Sequence, residues 1–80
     1  MRSAYYISDG TAITAEVFGH ALLSLFTIEF KHITVPFVET TEHAEEVIQK
    51  ISESFQDDGQ RPLVFYTIVN IEVRKIVSKS

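Results

Sequence analysis

The stretch Tyr5-Tyr6-Ile7-Ser8-Asp9-Gly10-Thr11-Ala12-Ile13-Thr14 decides how this chain reads. It opens as a short apolar strand from Ala4 to Ile7, turns at Ser8-Asp9-Gly10, and launches a helix at Thr11 or just after. Strand, glycine turn and helix in that order put backbone N–H groups and small polar side chains at the carboxyl end of a strand, where open α/β sheets bind ligands. A helix start also offers unpaired N–H donors and a partial positive charge to an anion. The polar set here is Ser8, Asp9, Thr11 and Thr14, with Glu16 a little further on. Two readings stand side by side. In one, Ser, Asp and Thr only cap the helix and Gly10 makes the tight turn. In the other, the same groups also touch a ligand. Asp9 speaks against a bare phosphate, whose charge it would repel, and suits a metal-bound phosphate, a ribose hydroxyl or a proton transfer better.

Outward from this turn, helical and strand periods alternate. The first helix is expected from Thr11 to Phe26, with a buried stripe of Ile13, Val17, Ala21 and Leu25 and with Phe18 and Leu22 beside it. Gly19, unfavourable inside a helix, suggests close packing against the sheet, and His20 reads as a flank or surface residue. A second strand follows over Lys31 to Val38, with Pro36 at its end or on an edge because proline cannot donate to a ladder. The second helix, Glu42 to Gln56, is the clearest amphipathic element: Ala44, Val47, Ile48, Ile51 and Phe55 share one face. Thr40 or Thr41 caps it, and Gly59 is the left-handed residue that ends it.

The third strand, Arg61 to Val69, is a near-continuous apolar run, the signature of a strand buried on both faces and interior to a finished sheet. Val73, Ile76 and Val77 then start a last helix, and the pattern is still running where the chain stops at Ser80, which reads as part of a longer protein or as a terminal helix that frays. The order β-α-β-α-β-α predicts an α/β fold: an open parallel sheet between two helical layers. If the second and third strands flank the first, in the order 2-1-3, a switch point opens between strands one and three. Ser8, Asp9, Gly10 and Thr11 would line it, with Thr67 and Asn70 from the end of strand three. Glu39 and Thr40 would lie on the far side of strand one.

Composition narrows the function classes. Eighty residues make one small domain with a marginal core. There is no cysteine, so disulfides and thiolate zinc sites are excluded, and His20, His32 and His43 lack metal-ligand spacing. A net charge of −4 with scattered Lys and Arg argues against nucleic acid as the main partner. No apolar run would span a bilayer and no signal-peptide pattern opens the chain, so no membrane partner and a cytoplasmic location are expected. The three glycines, Gly10, Gly19 and Gly59, make neither a phosphate loop nor a dinucleotide fingerprint.

One resemblance reaches further than periodicity. Tyr6-Ile-Ser-Asp-Gly-Thr-Ala-Ile-Thr-Ala-Glu-Val-Phe-Gly-His-Ala21 resembles the opening of the phosphoenolpyruvate synthase regulatory proteins, whose plant relatives regulate pyruvate, phosphate dikinase. Ile33-Thr-Val-Pro-Phe-Val-Glu39 and Arg61-Pro-Leu-Val-Phe-Tyr-Thr-Ile-Val69 are similar to that family's second and third strands. The resemblance implies a bifunctional kinase and phosphorylase. Such a protein phosphorylates a threonine of its target with ADP as donor, and removes the phosphate by phosphorolysis with inorganic phosphate, releasing pyrophosphate. It implies ADP and phosphate as ligands of the longer family protein, leaves room there for a divalent metal, and implies no cofactor for these residues alone. The synthase or the dikinase is the implied partner. Family members carry a glycine-rich phosphate loop that has no counterpart here, so residues 1–80 read as a single N-terminal α/β domain without that loop's domain, inactive alone. Ser8, Asp9, Gly10, Thr11 and Thr14 match the family's motif and, with Asn70, are the candidate substrate- or phosphate-binding residues; none is assigned a catalytic role. The alternative is a freestanding binding or interaction module, whose apolar third strand and open sheet edge would be covered by a partner or by self-association.

Overall fold

The computed structural model describes residues 1–79 and contains six elements in strict alternation: β1 (Arg2–Ser8), α1 (Ile13–Leu23), β2 (Phe30–Val35), α2 (Thr41–Asp58), β3 (Leu63–Thr67) and α3 (Ile71–Ser78). The strands form one parallel sheet, as the alternation implied, in the expected order β2-β1-β3. Right-handed crossovers then put α1 on one face and α2 with α3 on the other. Among the described residues, no helix is long and apolar enough to cross a membrane.

β1 is the axis of the molecule. Every residue from Ser3 to Ser8 is buried. β3, for all its apolar character, sits at the edge, and its outer side pairs with no strand among the described residues. The apolar run over Arg61 to Val69 shortens to five residues because Pro62 precedes the ladder and Val69 is held by a side chain instead. β2 stops at Val35, since Pro36 has no N–H and Phe37 adopts φ 59°, outside any strand geometry.

The side of the sheet facing α2 and α3 holds the larger core. Tyr5, Ile7 and Val35 pack there against Val38, Val47, Ile51, Ile68, Val73 and Val77. α2 is capped at both ends as its sequence indicates. The Thr40 hydroxyl accepts the His43 N–H at 3.1 Å, and Gly59, at φ 67°, donates its N–H to the Phe55 carbonyl. Phe55 departs from expectation and remains 48% exposed. In the last turns of α2 the sheet-facing positions belong to Ser54 and Asp58, which bond Tyr5 and Ser3, and Phe55 is turned aside.

α1 overturns the reading of its buried stripe. Ile13, Val17, Phe18 and Leu25 are 62%, 63%, 64% and 80% exposed. The residues facing the sheet are Ala15, Gly19 and Leu23, with Ala12 buried just ahead of the helix. The sheet explains the choice. Its α1 side presents the rings of Tyr6 and Phe65, and only a helix face of small residues can approach them closely. A Cβ on Gly19 would meet Tyr6 Cδ1 at 2.9 Å, Phe65 Cδ2 at 3.1 Å, and overlap Tyr6 Cε1. The helix also ends three residues early, at Leu23, where the N–H groups of Leu25 and Phe26 donate back three residues to Leu22 and Leu23.

Candidate functional site

The carboxyl ends of the strands gather the polar turn that the sequence singled out. Ser8 closes β1 directly opposite Thr67 of β3. Its hydroxyl oxygen accepts the Thr67 hydroxyl at 3.0 Å and the Gly10 N–H at 3.0 Å. The Asp9 carboxylate accepts the Val69 N–H at 2.9 Å and so ties the first turn to the loop entering α3. Asn70 caps α3, its Oδ1 accepting the Val73 N–H at 3.1 Å. Asp9, Val38, Glu39, Val69 and Asn70 together line an open hollow of about 420 Å³ at the switch point between β1 and β3.

Glu39 enters this hollow by a route that local sequence does not reveal. The loop after β2 crosses the end of β1, where the Val38 N–H donates to the Ser8 carbonyl at 2.8 Å and the Phe37 N–H to the Gly10 carbonyl at 2.9 Å. That crossing carries Glu39 from the expected far side of β1 to the same hollow as Asp9. Thr11 and Thr14, by contrast, are exposed at the start of α1 and do not line it. Neither caps the helix: the N-cap position is Ala12, at φ 69°, and no side chain accepts from the first turn. Among the described residues, α1 therefore starts without a side-chain cap. Gly10 lacks a left-handed φ; the left-handed residues of this region are Ala12 and Phe37. Each costs on the order of 1 kcal/mol or more for a non-glycine residue.

Two carboxylates and one amide, with no Lys or Arg, make the hollow a poor cradle for a bare phosphate. Its chemistry suits hydroxyl groups, which can donate to Asp9 and Glu39, or a phosphate accompanied by a cation. Among the described residues no group of three or more His, Asp and Glu is placed to hold a metal ion.

A second cluster lies under α1. The Tyr6 hydroxyl shares a 2.6 Å hydrogen bond with His32 Nδ1, and the ring of His20 stacks on His32 at 4.4 Å and on Tyr6 at 5.1 Å. Thr34 donates to Glu16 at 2.9 Å beside it. The Tyr6 hydroxyl is raised above its ordinary pKa, first by burial and second by the Glu16 charge. His20 thus keeps the exposed place expected of it while gaining ring partners from β1 and β2. Only the tertiary crossing of α1 over the sheet brings these three rings together.

A three-stranded parallel sheet with helices on both faces and a polar turn at its switch point defines the open α/β class. Within that class, the sequence profile of the kinase/pyrophosphorylase family matches residues 4–80, and the chain belongs to this family. It is 86% identical to a protein of Pseudoalteromonas atlantica over all 80 residues, and 76% identical to one of Alteromonas mediterranea over the same span. A Shewanella frigidimarina protein is 58% identical over 76 residues, 95% of this chain. All three are provisionally named phosphoenolpyruvate synthase regulatory proteins. The chain spans 28–30% of the length of these relatives. No solved structure matches it.

Proposed function

We propose that these residues serve in a regulator that phosphorylates a threonine of phosphoenolpyruvate synthase with ADP and reverses the modification with inorganic phosphate. In the forward direction the threonine hydroxyl oxygen bonds to the terminal phosphorus of ADP, AMP leaves, and the hydroxyl proton passes to a base. In the reverse direction a phosphate oxygen attacks the phosphothreonine phosphorus, pyrophosphate forms, and the threonine oxygen regains a proton. The observation that carries this reading is the family match along residues 4–80, with the motif from Ser8 to Glu16 near its start.

The hollow supports a place for these residues in that chemistry. Asp9 and Glu39 would accept hydrogen bonds from ribose hydroxyls or from the target threonine. Phosphate charge would have to be neutralised by groups elsewhere in the polypeptide, since no cation lines the hollow. The 80 residues alone would therefore transfer no phosphoryl group.

A second reading has its own observation. Ser8, Asp9 and Asn70 each already accept a backbone N–H, so the turn is coherent as a purely structural lock. One experiment separates the two. The full-length Pseudoalteromonas atlantica protein, rebuilt with residues 1–80 of this chain, is incubated with the synthase and ADP, and phosphothreonine is followed by mass spectrometry. ADP-dependent phosphorylation, and pyrophosphate release on adding phosphate, are expected. Asp9→Asn keeps an acceptor for the Val69 N–H and removes the charge; it should lower the rate at least tenfold. Absence of phosphorylation with the unaltered residues defeats the proposal. An unaltered rate in Asp9→Asn assigns the turn to structure alone.

A further inference from the structure

α1 is apolar on both sides, and only one of them is used. Ala15, Gly19 and Leu23 face the sheet, while Ile13, Val17, Phe18 and Leu22 are exposed on an arc around the rest of the helix, with Leu25 exposed just beyond its end. Thr14 is the polar residue on that arc, and no charged residue interrupts it. The helix's two ionisable side chains, Glu16 and His20, sit toward the sheet, where they meet Thr34 and His32. A helix that leaves several large apolar residues together at its surface presents a face without a partner. At 11 residues α1 is too short to span a bilayer, and its outer face has none of the Lys and Arg that hold a helix at a membrane surface.

From this geometry we infer that the outer face of α1 is an internal seam, covered by an apolar helix or strand layer of the same polypeptide in the full-length family protein. Three observations select that occupant. The relatives extend over more than twice the length matched here, so enough further chain exists to supply a layer. The other helical layer is mostly polar outside: α2 turns Glu45, Glu46, Gln49 and Lys50 to solvent, leaving Phe55 of α2 and Ile71 of α3 as the layer's isolated exposed apolar residues. Finally, α1 lies over β1 and β3, which sets its open face beside the unpaired outer side of β3, so one added unit could cover both. The inference rests on family membership and the exposed arc, and holds whatever reaction the protein performs.

The test is hydroxyl-radical footprinting of the full-length Pseudoalteromonas atlantica protein carrying residues 1–80 of this chain, read residue by residue by mass spectrometry. No substitution is needed within those residues. Phe18, Leu22 and Leu25 should show protection factors at least tenfold above that of Phe55, and dilution across the micromolar range should not change them. Protection equal to that of Phe55 would overturn the inference. Protection that disappears on dilution would overturn it too, by making a second copy the occupant.

Discussion

The two sides of the sheet are built on opposite economies of side-chain size. Toward α2 and α3, branched side chains interlock: Ile7, Val35, Val47, Ile51, Val73 and Val77 are all buried. Toward α1 the sheet itself supplies the bulk through Tyr6, Phe30 and Phe65, and the helix contributes Ala15, Gly19 and Leu23. The same contrast holds at the helix ends. α2 and α3 begin with side-chain caps from Thr40 and Asn70, whereas α1 begins at a left-handed Ala12 with none. The α2/α3 side is locally self-sufficient. The α1 side depends on close approach to two rings and leaves its own large residues outside. Apolar content therefore says how much a helix can bury, and the partner surface decides which residues are buried.

The largest expected effect separates the two sides directly. Ile51→Ala should destabilise the 80-residue chain by about 2–5 kcal/mol, because a buried side chain is lost and a cavity remains. Val17→Ala should change stability by no more than about 0.5 kcal/mol, as for other surface positions. Urea unfolding followed by far-UV circular dichroism reads both. A Val17→Ala variant as damaged as Ile51→Ala would break the comparison, since Val17 would then have to be packed.

Gly19→Ala probes the close approach itself. Overpacking against Tyr6 and Phe65 costs about 1–3 kcal/mol, and the better helix propensity of alanine returns about 1 kcal/mol. A net loss is expected in the same unfolding assay. A more stable variant would show that α1 does not rest on the Tyr6 ring.

The caps give a finer contrast. Thr40→Ala removes the acceptor for the His43 N–H and should cost about 1 kcal/mol, lowering Tm by about 4–8 °C for a domain of this size. Thr11→Ala, ahead of a helix with no side-chain cap, should leave Tm within about 2 °C, half the smallest shift that 1 kcal/mol produces. Equal losses in thermal melts would mean that Thr11 caps α1 after all.

These contrasts also mark what could be read from sequence. The sheet order followed from the expected right-handed crossovers once the second and third strands were set on either side of the first. The element order and the ends of α2 were legible because each rests on local signals: period, a threonine cap, a glycine stop. The buried face of α1 was not. Its two apolar faces both satisfy a helical period, and the larger residues draw the eye although the sheet accepts only the smaller ones. The left-handed Ala12 and Phe37 were hidden because neither residue type favours that conformation. Ser8 and Gly10, expected to line the candidate hollow, instead bond each other beside it. Asp9 and Asn70 were legible there as strand-end polar residues. Glu39 was not, because its place depends on two backbone hydrogen bonds between loops almost thirty residues apart, from Val38 to Ser8 and from Phe37 to Gly10.

The smallest effect tests the α1 side by its charge state. Tyr6 is the large buried ring there, and its hydroxyl is raised above the ordinary value of 10.0 by burial and then by Glu16. A raised folded-state pKa means that the unfolded chain ionises first as pH climbs. The stabilisation is whole below pH 10, where both states are neutral, and is lost as pH rises toward and through the folded-state value. The slope from this one group cannot exceed about 1.4 kcal/mol per pH unit. Tyr6→Phe removes the hydroxyl and its bond to His32, which at neutral pH should cost about 0.5–1.5 kcal/mol. The gap between the two proteins should then narrow above pH 10, measured by urea unfolding at stepped pH. A gap that stays constant through the alkaline range would mean that the hydroxyl is as well solvated folded as unfolded. The ring would then be open to water, and α1 would not seal its side of the sheet.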